Sequence, residues 1–131
     1  MKLVIGGYAQ GKLNAVVKTI PSNSYIVFEG KLPNDEQLQN NREEKIIIIN
    51  HFHLWVREQM EQNRNPKEDI LTFIDKNRDC VIISDEIGNG IVPMDAFERE
   101  YRETIGRILI ELAGKADEVV RVICGIQQRI K

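Results

Sequence analysis

Met1-Lys2-Leu3-Val4-Ile5-Gly6-Gly7-Tyr8-Ala9-Gln10-Gly11-Lys12-Leu13 opens the chain and decides its fold class. A short apolar run, a glycine-rich turn closing on Gly-Lys, and helix-forming residues from Leu13 to Lys18 make the outline of a phosphate-binding loop. Glycines let the backbone curl with its N–H groups turned inward, toward an anion. A helix start adds partial positive charge, and a lysine supplies a point charge for the outer phosphates. The spacing Gly6-x-x-x-x-Gly11-Lys12 is that of the motif, but Leu13 stands where the motif carries a Ser or Thr hydroxyl for Mg²⁺. The expected phosphate contacts are therefore Gly6, Gly7, Tyr8, Ala9, Gln10, Gly11, Lys12 and Leu13, with Lys12 acting on the phosphates.

Four further apolar runs read as strands: Tyr25–Phe28, Lys45–Asn50, Cys80–Ser84 and Val119–Cys124, which with Leu3–Ile5 make five. Most run without alternation, as strands covered on both faces do. Helical stretches at Lys12–Lys18, His53–Gln62, Lys67–Lys76 and Asp95–Lys115 separate most of them. Strands alternating with helices predict an α/β three-layer sandwich with a mainly parallel, about five-stranded sheet. In such a sheet ligands bind beyond the carboxyl ends of the strands. The polar stretch Gly30–Glu44 reads as a surface loop with a short helical turn over Asp35–Asn41. In the last helix Phe97, Tyr101, Ile105, Ile108 and Leu112 form one apolar stripe at core spacing. Gly106 inside it suggests a close backbone approach, and Gln127–Lys131 reads as a polar tail.

The totals narrow the function classes. The 131 residues suit one domain, 42% are apolar and 29% charged, and the net charge is -2. That balance gives no reason to expect nucleic acid or an anionic membrane as the main partner. The longest apolar run, Ile46–Ile49, is far too short to span a bilayer. Cys80 and Cys124 are read as two buried thiols rather than a disulfide, which fits a reducing cytoplasm.

Two strand exits carry candidate chemistry. Val81-Ile82-Ile83-Ser84 ends in Asp85-Glu86, followed by a loop with glycines at 88 and 90. Carboxylates just past a buried strand and close to a phosphate cradle coordinate Mg²⁺ directly or through water; the same residues also serve to satisfy loop amides. Asp85 is the metal candidate, and Asp85 and Glu86 join Lys12 as candidate catalytic residues. The other exit is Asn50-His51-Phe52-His53. His-x-His spacing suits a metal, but with no third ligand in view it equally suits a polar exit or a helix cap. Arg99, Arg102 and Arg107 either reach an anionic ligand or form a solvated helix face.

The stretch Glu86-Ile87-Gly88-Asn89-Gly90-Ile91-Val92-Pro93 resembles the Glu-Val-Gly-x-Gly-Ile-Val-Pro signature of the bifunctional adenosylcobinamide kinase / adenosylcobinamide-phosphate guanylyltransferase family. The resemblance continues through Arg99-Glu100-Tyr101-Arg102-Glu103, Gly106-Arg107, Leu112-Ala113, Ala116-Asp117-Glu118-Val119 and the C-terminal residues. It implies a phosphate-loop fold, GTP or ATP with Mg²⁺, a corrinoid ligand and assembly as a homo-oligomer, a trimer in the family. It also implies two reactions, phosphorylation of the corrinoid's aminopropanol arm and attachment of GMP through a guanylyl-histidine.

This chain departs from that pattern where the chemistry sits. The family's Ser-Gly-Lys-Ser is Gln10-Gly11-Lys12-Leu13 here, its strand-exit aspartate is Asn50, and the following cysteine and threonine are His51 and His53. The residue before the signature glutamate, an asparagine in the family, is Asp85, and a helix Asn-Gln pair is Leu109-Ile110. The segment that should hold the guanylylated histidine, between Phe28 and Lys45, contains none. The resemblance thus leaves a nucleotide-binding, kinase-like protein without guanylyl transfer. A non-catalytic nucleotide- or corrinoid-responsive binding or scaffold protein, and an enzyme remodelled around His51 and His53, stand as alternatives.

Overall fold

The computed structural model describes every residue except Arg42, in the polar segment, and Asn89, in the signature loop. In chain order the elements are β1 (Lys2–Gly6), α1 (Lys12–Val17), β2 (Tyr25–Glu29), α2 (Asp35–Gln39), β3 (Ile46–Asn50), α3 (Phe52–Glu61), α4 (Pro66–Lys76), β4 (Val81–Asp85), α5 (Ala96–Lys115), β5 (Glu118–Ile123) and β6 (Ile126–Arg129). They build one sheet in the order β2-β3-β4-β1-β5-β6, parallel throughout except for β6, which runs antiparallel to β5.

The unbroken apolar runs divide between two layers because successive side chains of a strand point to opposite faces. Leu3, Ile47, Ile49, Ile82 and Val119 pack with Phe52, Trp55, Ile70, Phe73, Tyr101, Ile105, Ile108 and Leu112, under α3, α4 and α5. Val4, Ile48, Val81, Ile83, Val120 and Val122 pack with Ala15 and Val16 of α1 on the other face. The stripe expected on the last helix is the stripe buried.

The helix starts are written locally. Asn34 caps α2 in a reciprocal pair with Gln37, Asn65 caps α4 with Pro66 behind it, and the Asp95 carboxylate accepts from the Glu98 N–H at the start of α5. No helix among the described residues is long and apolar enough to cross a membrane.

Three expectations are corrected. Ile126–Arg129 is no tail: it folds back on β5 as a sixth strand of the expected mainly parallel sheet, with Arg129 opposite Val120 and Ile126 opposite Ile123. Cys124 is exposed, because it turns the chain between those strands with φ 50°, while Cys80 is buried and free. Gly106 marks no close approach, since a Cβ there would meet nothing within 4 Å.

The sheet order fixes where a crevice opens. From β1 the chain passes through α1 to β2, at one edge; from β4 it crosses β1 to reach β5, on the other side. The connections diverge around β1 and β4, and the crevice opens there, at the carboxyl ends.

Candidate phosphate site at the carboxyl edge

β1 delivers Gly6 to that edge between β4 and β5. A Cβ on Gly6 would stand 2.5 Å from the Val122 carbonyl oxygen, so no other residue type fits without moving β5. The chain then turns through Ala9 (φ 53°) and Gly11 (φ 80°), both left-handed, and Gly11 opens α1. Gln10 holds the turn from outside. Its backbone oxygen accepts the Gly125 N–H (2.8 Å) and its Oε1 accepts the Cys124 N–H (2.7 Å). The loop is thereby latched to the β5–β6 turn, a contact that the tail reading had hidden. Leu13 turns into the apolar layer beneath α1 and brings no oxygen to the site.

Lys12 is buried and folds back across the loop. Its Nζ donates to the Gly7 carbonyl (2.7 Å) and lies 2.6 Å from Asp85 Oδ1. Asp85 reaches it because β4 pairs with β1 in register, Gly6 opposite Asp85. The second carboxylate oxygen of Asp85 is 3.4 Å from His53 Nε2, and the Asp85 N–H donates to His53 Nδ1 (3.1 Å). A ring that accepts at Nδ1 carries its proton at Nε2, so His53 is the neutral tautomer facing the carboxylate. Tyr101 anchors this histidine's backbone, its hydroxyl donating to the His53 carbonyl (2.7 Å); burial raises the Tyr101 phenol to about 12.

Burial lowers the His53 pKa below 6.5, against the raising pull of Asp85 and together with the repulsion of His51 and Lys12. The folded chain therefore holds fewer protons than the unfolded one, and stability falls as pH drops through 6.5 toward the lowered value. The lowered carboxylates, Glu98 and Asp117, act only below their ordinary 4.5 and 3.8. Urea unfolding at pH 8 and pH 5.5 should show this loss in the wild type and a flatter profile in His53→Gln; identical profiles would remove His53 as its source.

At the next exit, Asn50 closes β3 opposite Glu29 of β2. The Asn50 amide donates to both Glu29 carboxylate oxygens (3.0 Å each), and His51 Nδ1 is 2.8 Å from Glu29 Oε2. His51 takes a left-handed conformation between β3 and α3, while His53 lies in the first turn of α3. The two rings meet edge to face with centroids 5.8 Å apart. Among the described residues no group of three or more His, Cys, Asp or Glu is placed to hold a metal.

Loop residues Tyr8–Asn14, with Asn50, His51 and Asp85, line a cavity of about 320 Å³. A larger cavity of about 620 Å³, against Asn77–Cys80, lies at the opposite ends of the strands and takes in none of the expected site residues. Glu86 is set apart from the smaller cavity's lining. Arg121 of β5 holds its carboxylate with two bonds (2.7 and 3.0 Å), and its N–H donates to the Gly6 carbonyl (2.8 Å).

Two of the α5 arginines hold the signature loop by its carbonyls. Arg102 donates to the Gly88 and Ile91 carbonyls, and Arg99 to those of Pro93 and Met94. Arg107 pairs with Glu103. Ile91, Val92 and Met94 stand exposed beyond them.

Sequence reasoning had missed Glu29, Arg121 and the Cys124–Gly125 turn. Each belongs to the site only through strand register, which no local pattern encodes.

Residues 18–130 match the family model described as cobinamide kinase / cobinamide phosphate guanyltransferase. The chain belongs to this family. The match covers every strand after β1, together with the signature loop, and starts just past the Gly6–Leu13 loop, whose reading rests on its own geometry.

The bifunctional adenosylcobalamin biosynthesis protein CobU of Escherichia coli strain K12 is 36% identical over 81 residues, 59% of this chain and 44% of that protein. Its counterpart from Salmonella typhimurium is 43% identical over 51 residues, 39% of this chain and 28% of that protein. In both alignments the chain spans less than half of the relative.

Proposed function

We propose that this member of the cobinamide kinase / cobinamide phosphate guanyltransferase family binds ATP or GTP at Gly6–Leu13 and serves cobalamin biosynthesis in the cytoplasm as a kinase-like protein, assembled from several copies. One observation carries the reading. Lys12 is buried at the floor of the loop cavity, tied to Gly7 and Asp85, and a triphosphate is the kind of ligand that would draw it off both.

Asp85 is the one carboxylate lining that cavity among the described residues. A single carboxylate suits Mg²⁺, which keeps several waters and shares phosphate oxygens. Asp85 would hold the ion, whose part is to neutralise charge on the transferring phosphoryl group. Guanylyl transfer by the family's route has no histidine to run through between Phe28 and Lys45.

A second reading, a nucleotide- or corrinoid-responsive protein without catalysis, is favoured by a different observation. Leu13 offers no hydroxyl, and Asn50 spends its amide on Glu29.

Calorimetric titration of ATP and GTP, each with and without Mg²⁺, tests the proposal. Binding that requires Mg²⁺ and Lys12 supports it; no binding of either nucleotide overturns it. Asp85→Asn should weaken the Mg²⁺-dependent binding by about tenfold or more, the scale of one lost charge-assisted contact. Unchanged metal-dependent binding in that variant would mean that the ion is held elsewhere.

A further inference from the structure

We infer that His51 is the general base of a phosphoryl transfer to a hydroxyl acceptor, with Glu29 as the residue that orients it. The inference rests on nucleotide binding at Gly6–Leu13. Its own support is the difference between the two histidines.

His53 has both ring nitrogens engaged by Asp85 and lies buried under Tyr101. It is built into the fold. His51 is half-exposed, and its engaged nitrogen is Nδ1, against Glu29 and at the long distance of 3.4 Å from the Asn50 amide. A carboxylate only accepts, so Nδ1 carries the proton and the lone pair of the neutral ring is at Nε2, which has no hydrogen bond among the described residues. The Asn50 amide, donating to both oxygens of Glu29, fixes the carboxylate that fixes the ring.

The backbone points the same way. His51 sits on a sharp strand-to-helix turn at φ 52° and ψ 44°, in the left-handed region that histidine enters more readily than most residues. Such a turn places a side chain at the top of a sheet. Here His51 lines the same cavity as Lys12, Gln10 and Asp85. A carboxylate holding one imidazole nitrogen so that the other takes a proton is the base-and-orienter arrangement found at activated hydroxyls.

The step balances. An acceptor hydroxyl oxygen forms a bond to the terminal phosphorus of the nucleoside triphosphate. The bond from that phosphorus to the bridging oxygen breaks, its electron pair leaving with the nucleoside diphosphate, and the hydroxyl proton passes to His51 Nε2. The imidazolium is stabilised by Glu29; the other charged or titratable groups lining the cavity or meeting the ring are Tyr8 of the loop, Lys12 of α1, Asp85 of β4 and His53 of α3.

The test is single-turnover transfer from terminally labelled ATP and GTP with Mg²⁺, to cobinamide and to water, in the wild type, His51→Ala, His51→Asn and Glu29→Gln. Nucleotide affinity is measured by calorimetry in the same proteins. Asn, like His, tolerates the left-handed conformation, so His51→Asn should stay folded and separates chemistry from folding.

Nucleotide affinity is expected to stay within about threefold in all variants, as when a group acts in the transition state alone. Transfer should fall by about 10² to 10⁴-fold in both His51 variants. Glu29→Gln should lose less, and added imidazole should restore part of the rate to His51→Ala. Nucleotide binding with no transfer, or with transfer indifferent to His51, overturns this inference and leaves the nucleotide reading standing. Absence of nucleotide binding overturns both.

Discussion

Lys12→Ala is expected to lose nucleotide binding and about 3–5 kcal/mol of folding stability together, the penalty for breaking a buried ion pair by removing one partner. Lys12 and Asp85 are 2.6 Å apart, with side chains only 7% and 12% exposed. Without the ammonium, the Asp85 carboxylate keeps the 3.4 Å contact to a neutral His53 but has no cation. The cavity lets water reach one side, which holds the loss to the lower part of that range.

A cycle separates the two effects. Lys12→Ala combined with Asp85→Asn removes the orphaned charge and should regain most of the stability while binding stays lost. Urea unfolding reads the first quantity and calorimetry the second. A double variant as unstable as Lys12→Ala alone would mean that the packing of the lysine stem under the loop, not the ion pair, is what stabilises this edge.

The same pair shows how far the residues themselves can be read. Gly6-x-x-x-x-Gly11-Lys12 announces the loop, because only glycine tolerates the approach to Val122 at position 6 and glycine readily takes the left-handed turn into α1. The Ile46–Ile49 and Val81–Ile83 runs announce buried strands, and both layers of the core follow from their alternation.

What the chain does not announce is which strand lies beside which. Asp85 could be named as a metal candidate from its place after a strand; that it neutralises Lys12 depends on β4 pairing with β1. His51 and His53 looked alike two residues apart. Their separation into an accessible and a buried ring comes from Glu29 on one side and Asp85 with Tyr101 on the other. β6 escaped notice because Ile126, Gln127, Gln128 and Arg129 are all exposed; pairing with β5, not burial, makes them a strand. Cys124 looked buried because it follows an apolar strand, whereas the turn it makes needs a residue at the surface.

Gly6→Ala should be the most damaging single-atom change at the edge. The added carbon would stand 2.5 Å from the Val122 carbonyl oxygen and 3.3 Å from Lys12 Cδ. The lysine stem can move aside; the carbonyl belongs to β5, which is paired on both sides, to β1 and β6. Overpacking of this kind costs about 1–3 kcal/mol and sometimes more, and a rigid partner puts this site at the upper end.

Relief would come by pushing β1 away from β5, which carries Gly7 and Lys12 out of place against Asp85 and unseats the Gln10 latch on Cys124 and Gly125. Nucleotide affinity should therefore fall by more than tenfold even at temperatures where the variant remains folded. Gly106→Ala is the matched control: in α5 its Cβ meets nothing within 4 Å, and alanine should stabilise the helix by about 1 kcal/mol. If Gly6→Ala behaves like that control in both unfolding and titration, β5 yields more easily than its two-sided pairing implies, and the loop's shape does not depend on the absence of a side chain at position 6.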